Sequence, residues 1–352
     1  MPHQAELDID KIIDAQIFPT LILGQNDLVG YHNQPMIDLL NNFSSQNHAS
    51  HIGADIWRLI HIPEIAEVFE QVKQSKQATQ SKFEYFDNGV RHFRFSISPI
   101  SVDDKSYNYW FSFRDLTQEI VLERMRADFI ANASHELRTP LASIAGFIET
   151  LQGPAKDDIA SHHKFLNIMQ EQSGRMTRLI DDLLSLSKIE LNQHMKPTDM
   201  VNLNDIIEHC FHTFEPLAKA QKVVLKLENK LEKAHIYGDR DQLIQLLTNL
   251  LNNALKYGMK NQAENEIILR LTENDAADKI ILSIIDFGDG IEEEDLPRLT
   301  ERFYRVKHSQ KVRGTGLGLA IVKHIAQHHD AVLNFESQVN EGTQVFLTFD
   351  KI

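Results

Sequence analysis

The spacing of apolar side chains changes period twice along this 352-residue chain, and those changes mark out three regions. From about residue 8 to 118 the pattern is mixed. Ile17–Leu23 and Leu28–Tyr31 predict two short strands around the turn Gly24-Gln25-Asn26-Asp27. Helical patterns follow at Pro35–Asn42 and Ile62–Lys73, then strand-like runs at Thr79–Phe86, Val90–Ile100 and Tyr107–Asp115. Within the second of these runs, Arg91 to Ser98 alternates apolar and polar residues, as a half-buried antiparallel strand must.

From Leu116 the period becomes helical. Ile120, Met125, Phe129 and Ile130 lead into a helix expected to reach about Leu151, where Gly153-Pro154 breaks it. A second amphipathic helix is expected from Asp158 to Glu190, with Phe165, Ile168, Met169, Met176, Leu179, Ile180, Leu183, Leu184 and Leu186 at spacings of three and four. Residues 119–192 therefore predict an antiparallel helical hairpin. Its apolar stripe is too broad for one partner helix, so pairing with a second copy into a four-helix bundle is favoured over packing on the chain's own domains.

Residues 200–352 alternate between the two periods. Leu203–Gln221, Gln242–Tyr257, Glu294–Glu301 and Leu317–His328 predict helices, and Ile267–Thr272, Lys279–Asp286, Ala331–Glu336 and Gln344–Phe349 predict strands. That outline is an α/β sandwich with one mixed sheet and helices on one face. The chain as a whole is multidomain.

Composition narrows the function classes. Hydrophobic residues make up 42% and charged residues 24%, the profile of a folded soluble protein. A net charge of −14 argues against a nucleic-acid surface, which needs clustered Lys and Arg. The single cysteine, Cys210, cannot close an internal disulfide, which points to a reducing compartment. No apolar run approaches the roughly 20 residues of a membrane span. The expected location is cytoplasmic, at the inner face of the plasma membrane if a membrane segment lies outside this chain.

Candidate chemistry lies in four short segments. His135-Glu136-Leu137-Arg138-Thr139-Pro140 places an imidazole beside an acid, one turn before a proline expected to bend the helix. A neutral imidazole is a nucleophile near pH 7, and the adjacent carboxylate can hold its second proton. Alone this is weak, since the chain has 17 histidines. Asn249 and Asn253 share a helix face, and their amide oxygens suit Mg²⁺ already bound to a polyphosphate, with Lys256 adding a point charge. Asp286-Phe287-Gly288-Asp289-Gly290 ends a strand, where an acid can accept from an exocyclic amine such as that of adenine. Gly314-Thr315-Gly316-Leu317-Gly318 opens a helix whose amides favour phosphate, without the Lys-Ser or Lys-Thr of a Walker loop. Each segment alone is more often an ordinary helix face or turn.

Their order and spacing resemble the bacterial two-component sensor histidine kinases over residues 116–352. The resemblance implies that the hairpin is a dimeric phosphotransfer bundle and the last domain a Bergerat-type ATP-binding α/β sandwich. It casts His135 as phosphoacceptor, Glu136 as the acid that orients it and takes its proton, and Thr139 as the residue positioning water for dephosphorylation of the partner. Asn249, Asn253, Lys256 and Tyr257 match the N box, with Asn253 the first Mg²⁺ ligand and Asn249 the second. Asp286, Gly288 and Gly290 match the G1 box, where Asp286 reads adenine. Phe303, Tyr304 and Arg305 match the F box, and Gly314, Gly316 and Gly318 the G2 box, with Thr315 and Leu317 between them. The run Leu299–Val306 also resembles the phosphate-regulon sensor kinase branch. ATP, Mg²⁺, a homodimer and a cognate response regulator are the cofactors and partners implied. The lid segment Lys307–Arg313 departs from the pattern: it is a little short, Lys307 stands where aspartate is common, and Arg313 where glycine often precedes the G2 box.

The front region, by its order of strands and helices, resembles a PAS sensor domain over 8–118. Flavin-cysteinyl chemistry is excluded there because Cys210 lies elsewhere. His32, His48, His51, His61 and His92 could ligate haem, but a ligand-free relay or dimerisation domain is the expectation. Two other functions compete for the nucleotide segments: a Ser/Thr kinase or ATPase without phosphohistidine, and a non-catalytic ATP-gated scaffold.

Overall fold

The computed structural model describes residues 9–24, 26–43, 51–87, 89–101, 107–191, 195–259, 265–306 and 314–352. His48 and the lid segment Lys307–Arg313 lie outside the described residues. The chain divides into two compact units, Met1–Asp128 and Phe129–Ile352.

In the first unit a short helix, α1 (Ile9–Asp14), precedes the strands β1 (Thr20–Leu23) and β2 (Val29–His32). Helices α2 (Gln34–Phe43), α3 (Ile56–Leu59) and α4 (Pro63–Ser75) follow, then the strands β3 (Thr79–Asp87), β4 (Gly89–Ser101) and β5 (Tyr107–Asp115). The sheet is antiparallel in the order β2-β1-β5-β4-β3. The expected alternation in β4 holds: Phe93, Phe95 and Ile97 are buried, while Arg94 between them is exposed. They join Phe69, Phe83, Phe111 and Phe113 in an aromatic core. Buried Asn33 ties the layers together. Its side-chain oxygen accepts from the amides of Thr20 and Met36, and its amide donates to the carbonyls of Ile13, Gln16 and Phe18. Of the histidines weighed as haem ligands, His51's amide donates to His32 Nε2 at 3.1 Å, and His92 Nδ1 sits 3.3 Å from Glu84.

Helix α5 (Thr117–Gln152) spans the division and runs unbroken through a buried Pro140. Asp158 starts α6 (Ile159–Leu191), its carboxylate accepting from the Ser161 amide and hydroxyl. The amphipathic stripe of α6 splits in two. Leu179, Leu186 and Ile189 enter one core with the following α/β layer, so the chain's own domain takes part of the stripe, while Leu166, Ile180 and Leu184 stay exposed.

The α/β layer adds β6 (Met200–Asn202), α7 (Leu203–Ala220), β7 (Val223–Asn229), β8 (His235–Tyr237) and α8 (Arg240–Tyr257). It continues with β9 (Asn265–Glu273), β10 (Lys279–Asp286), α9 (Gly318–His328), β11 (Val332–Gln338) and β12 (Gly342–Asp350). The main sheet has the order β11-β12-β10-β9-β7, antiparallel except for the parallel pair β7–β9. Leu243, Leu246, Leu247, Leu250, Leu251 and Ala254 of α8 bury one helical stripe in the core. The helix expected at Glu294–Glu301 is instead a single 3-10 turn at Leu296–Arg298. Pro297 sits in the first turn, where its missing amide costs nothing, but Leu299 is the only buried apolar residue of the segment, too little apolar contact to carry a longer helix.

Candidate functional site

Helix α8 carries Asn249 and Asn253 on adjacent turns and ends at Lys256 and Tyr257. Its start is firmly held: the Asp239 carboxylate accepts from the amides of Asp241 and Gln242, and the Asp239 amide donates to His329 Nε2 at 2.9 Å. Strand β10 delivers Asp286 to the end of this helix. The amide of Gly288 donates to Asp286 Oδ1 at 3.0 Å, closing the turn. A β-carbon at Gly288 would stand 2.2 Å from the Tyr257 carbonyl, so only glycine lets this turn lie against the end of α8.

The glycine-rich turn before α9 completes the enclosure. Gly316 has φ of +72°, and a β-carbon there would meet the Phe303 carbonyl carbon at 2.7 Å. The Phe303 amide in turn donates to the Gly316 carbonyl at 2.8 Å. Gly318 passes close to Asn249, whose Oδ1 would lie 3.4 Å from an added β-carbon. The result is a cavity of about 860 Å³ lined by Asn249, Asn253, Lys256, Tyr257, Asp286, Gly290, Arg305, Gly314, Thr315, Gly316 and Gly318. Two expected residues do not line it. Gly288 is buried under the turn, and the Leu317 side chain belongs to the core while its amide donates to Thr315 Oγ1 at 3.3 Å.

Helix α6 supplies a wall that the motifs did not indicate. Glu171, Arg175, Arg178 and Asp182 also line the cavity. Their spacing of four, three and four puts them on one helical stripe, a pattern present in the sequence that does not by itself distinguish a cavity wall from a solvated face. Further along α6, Ser185 is hydrogen-bonded to Gln245, and Glu190 pairs with Arg302 and lies 3.4 Å from His324 Nε2. Phe129 of α5 packs near Phe303, ring centres 5.9 Å apart, with the Arg302 guanidinium over the Phe129 ring.

Electrostatics give the cavity its preference. Arg178 and Arg305 flank Lys256, and partial burial together with their repulsion lowers its pKa, with Asp182 opposing. Burial raises the pKa of Asp182 in turn, against the Thr315 hydroxyl bond and the Lys256 charge. Lys256, Arg178 and Arg305 repel one another within the glycine-lined cavity, a repulsion a polyanion would relieve, while Glu171, Asp181, Asp182, Asp286 and Asp289 share the lining. A cation shared with the polyanion's oxygens would find no group of three or more His, Cys, Asp or Glu among the described residues. The amide oxygens of Asn249 and Asn253 are the hard neutral ligands that such a shared Mg²⁺ accepts.

His135 lies exposed on α5. One turn on, the Thr139 hydroxyl donates to the His135 carbonyl at 3.2 Å. Glu136 is not free: Arg175 donates to its carboxylate at 2.6 Å. The acid beside the histidine thus touches a residue of the cavity wall.

Residues 125–192 match the His Kinase A (phospho-acceptor) domain, and residues 238–352 match the histidine kinase-, DNA gyrase B- and HSP90-like ATPase domain. The chain belongs to the two-component sensor histidine kinases. The ATPase match implies that the kinase binds ATP in its last domain. The kinase is 29% identical over 96% of its length to sensor protein kinase WalK of Staphylococcus epidermidis, covering 51% of that protein. It is 38% identical over 65% of its length to phosphate regulon sensor protein PhoR of Pseudomonas aeruginosa, covering 51% of it. Among solved structures it resembles histidine kinase ThkA in complex with response regulator protein TrrA, with a TM-score of 0.49 and 19% identity over 97% of this chain and 98% of that one. The kinase spans about half the length of these sequence relatives. No helix among its described residues is long and apolar enough to cross a membrane.

Proposed function

We propose that the kinase autophosphorylates His135 from Mg²⁺-ATP and passes the phosphoryl group to an aspartate of a response regulator. The observation that carries this reading is the single cavity that gathers the N, G1, F and G2 segments and is walled by α6, whose Arg175 grips the acid next to His135. Asn253 and Asn249 would hold Mg²⁺ together with the phosphates, Asp286 would accept from the adenine amine, and Lys256 and Arg305 would offset phosphate charge. Gly288 and Leu317 act as supports beneath the site. In the transfer, a ring nitrogen of His135 bonds to the γ-phosphorus as the bond to the bridging oxygen breaks, and ADP leaves with that electron pair. The proton on the other ring nitrogen passes to Glu136. Such a reaction depends on alignment and charge neutralisation more than on covalent help from the protein. Thr139, exposed one turn past His135, would align water for dephosphorylation of the response regulator.

The exposed Leu122, Met125, Ile130, Leu141, Leu166, Ile180 and Leu184 of α5 and α6 support a homodimer in which two hairpins form a four-helix bundle. The strand order β2-β1-β5-β4-β3 supports a PAS-type sensor reading of the first unit, relaying signal through α5.

The test is labelling with γ-³²P-ATP. The wild type gains acid-labile, base-stable label, and His135→Gln abolishes it. Undiminished label in His135→Gln, or label stable to acid, discards this reading in favour of a kinase or ATPase without phosphohistidine. Tight ATP binding with no transfer at all favours the ATP-gated scaffold.

A further inference from the structure

The pair Arg175–Glu136 has a property the proposed chemistry does not use. Arg175 reaches two places at once: its guanidinium donates to the Glu136 carboxylate at 2.6 Å, and the same side chain lines the cavity with Arg178, Lys256 and Arg305. Both partners of the pair are about one-third exposed, at 32% and 33%. A pair that open to solvent is worth a factor of about five or less in any equilibrium. A polyphosphate offers the planar guanidinium fork several acceptor oxygens and a larger charge than one carboxylate, so it competes for Arg175 with advantage. While paired, Glu136 has a carboxylate oxygen occupied by Arg175 instead of turned to the His135 ring that the transfer needs it to serve.

We propose that Arg175 is an exchangeable clamp: it holds Glu136 when the cavity lacks polyphosphate and turns to the phosphates when they enter, freeing Glu136 to take the His135 proton. This rests on the nucleotide reading of the cavity and deepens it. The clamp makes Arg175 a positioning residue that reports cavity occupancy to the phosphoacceptor helix. It also keeps His135 without an unencumbered base until a phosphoryl donor is in place.

Exchange is a linkage, and linkage fixes signs. Glu136 and the phosphates compete for one guanidinium, so removing the Glu136 charge must tighten polyphosphate binding. Removing Arg175 must weaken it and must also cancel the gain from changing Glu136. A residue that merely holds the hairpin together would not produce opposite signs in the two variants.

The experiment is the affinity of the full chain for a non-hydrolysable ATP analogue, by calorimetry, in a double-variant cycle. Glu136→Gln should bind about two- to fivefold tighter than wild type, the weight of one half-exposed pair. Arg175→Gln should bind about three- to tenfold more weakly, the range for losing one charge-assisted phosphate contact. The double variant should match Arg175→Gln alone, a non-additive result. Arg175→Lys, which keeps the charge, should recover part of the affinity and guards against a folding artefact. Unchanged or weaker binding by Glu136→Gln, or additive effects in the double variant, overturns the clamp and leaves the kinase reading intact. A wild type that fails to bind the analogue overturns both. Normal binding signs without phosphohistidine sink only the kinase reading.

Discussion

The Thr315 hydroxyl donates to Asp182 Oδ2 at 3.0 Å, fastening the glycine-rich turn before α9 to the second helix of the hairpin. The same hydroxyl oxygen accepts from the Leu317 amide, so one side chain shapes the turn and docks it. Asp182 pays for this position. Burial raises its pKa, which means the folded state disfavours its charged form, and the Thr315 bond and Lys256 offset only part of that.

Asp182→Asn should therefore stabilise the protein at neutral pH. For an acid whose folded pKa is raised, the destabilisation is fully present above the folded value and vanishes below the unfolded one, which is near 3.8. The asparagine keeps an acceptor for Thr315 and removes the buried charge. We expect a rise in Tm on the order of 1–2 °C at pH 7, small because the site remains partly solvated, and a difference that closes as pH falls toward 4. Thermal unfolding of both proteins across that range checks it; a lower Tm for the variant at pH 7 would mean the Lys256 attraction outweighs desolvation.

Gly316→Ala should damage both fold and site. The position combines a left-handed φ with a Phe303 backbone carbon 2.7 Å from the new methyl, and the two segments are already joined by the Phe303–Gly316 hydrogen bond. Strain of this kind costs about 1–3 kcal/mol. Denaturant unfolding should show that loss, and analogue binding should fall with it. Ala tolerated at no cost in either measurement would show that the turn is not held as described.

How much of this was legible in advance follows from the range of each interaction. Asn249, Asn253, Asp286 and the G2 glycines are legible only together: each alone reads as an ordinary helix face or turn, and the order and spacing of the segments point to one site. Helix α8 and strand β10 were plain from periodicity. Arg175, Arg178 and Asp182 were not, because their stripe matters only once α6 lies along the α/β layer, and a charged stripe on an amphipathic helix ordinarily faces water. Strand β7 was missed for a related reason. Val223–Asn229 is an edge strand paired on one side only, with exposed Val224 and Lys226, so its apolar signal is thin. The segment around Leu296–Arg298 reads the other way: its acidic run and Leu299 imitate a helix, but only Leu299 is buried to anchor one, and a single 3-10 turn forms.

Cys210 should be inert in the native protein. It is 1% exposed in the core, and burial pushes its thiol up to about 11, so almost no thiolate exists at pH 8. Iodoacetamide at that pH should leave the folded chain unmodified by mass spectrometry and add one group after denaturation. Rapid native labelling would require α7 to open far more readily than its packing implies.

The last expectation concerns acid. His329 is buried; its Nδ1–H donates to the Ile325 carbonyl at 2.8 Å, and its Nε2 accepts from the Asp239 amide at 2.9 Å, an arrangement that only the neutral ring satisfies. Burial lowers its pKa below the ordinary 6.5, with His328 adding to the effect. A base with a depressed folded pKa contributes stability that is complete above the unfolded value and is lost progressively as pH falls from there through the folded value. Protonation at Nε2 would break the bond to Asp239, which caps the helix bearing Asn249 and Asn253. His324, lowered by burial as well, adds a contribution of the same sign. Stability and analogue affinity should both decline between pH 7.5 and 5.5. His329→Gln can reproduce both hydrogen bonds without titrating, so it should start less stable yet lose less over the same range, the remainder belonging to His324. Unfolding curves at several pH values decide the matter: a slope as steep in His329→Gln as in the wild type would remove His329 from the account and leave the acid sensitivity to other groups.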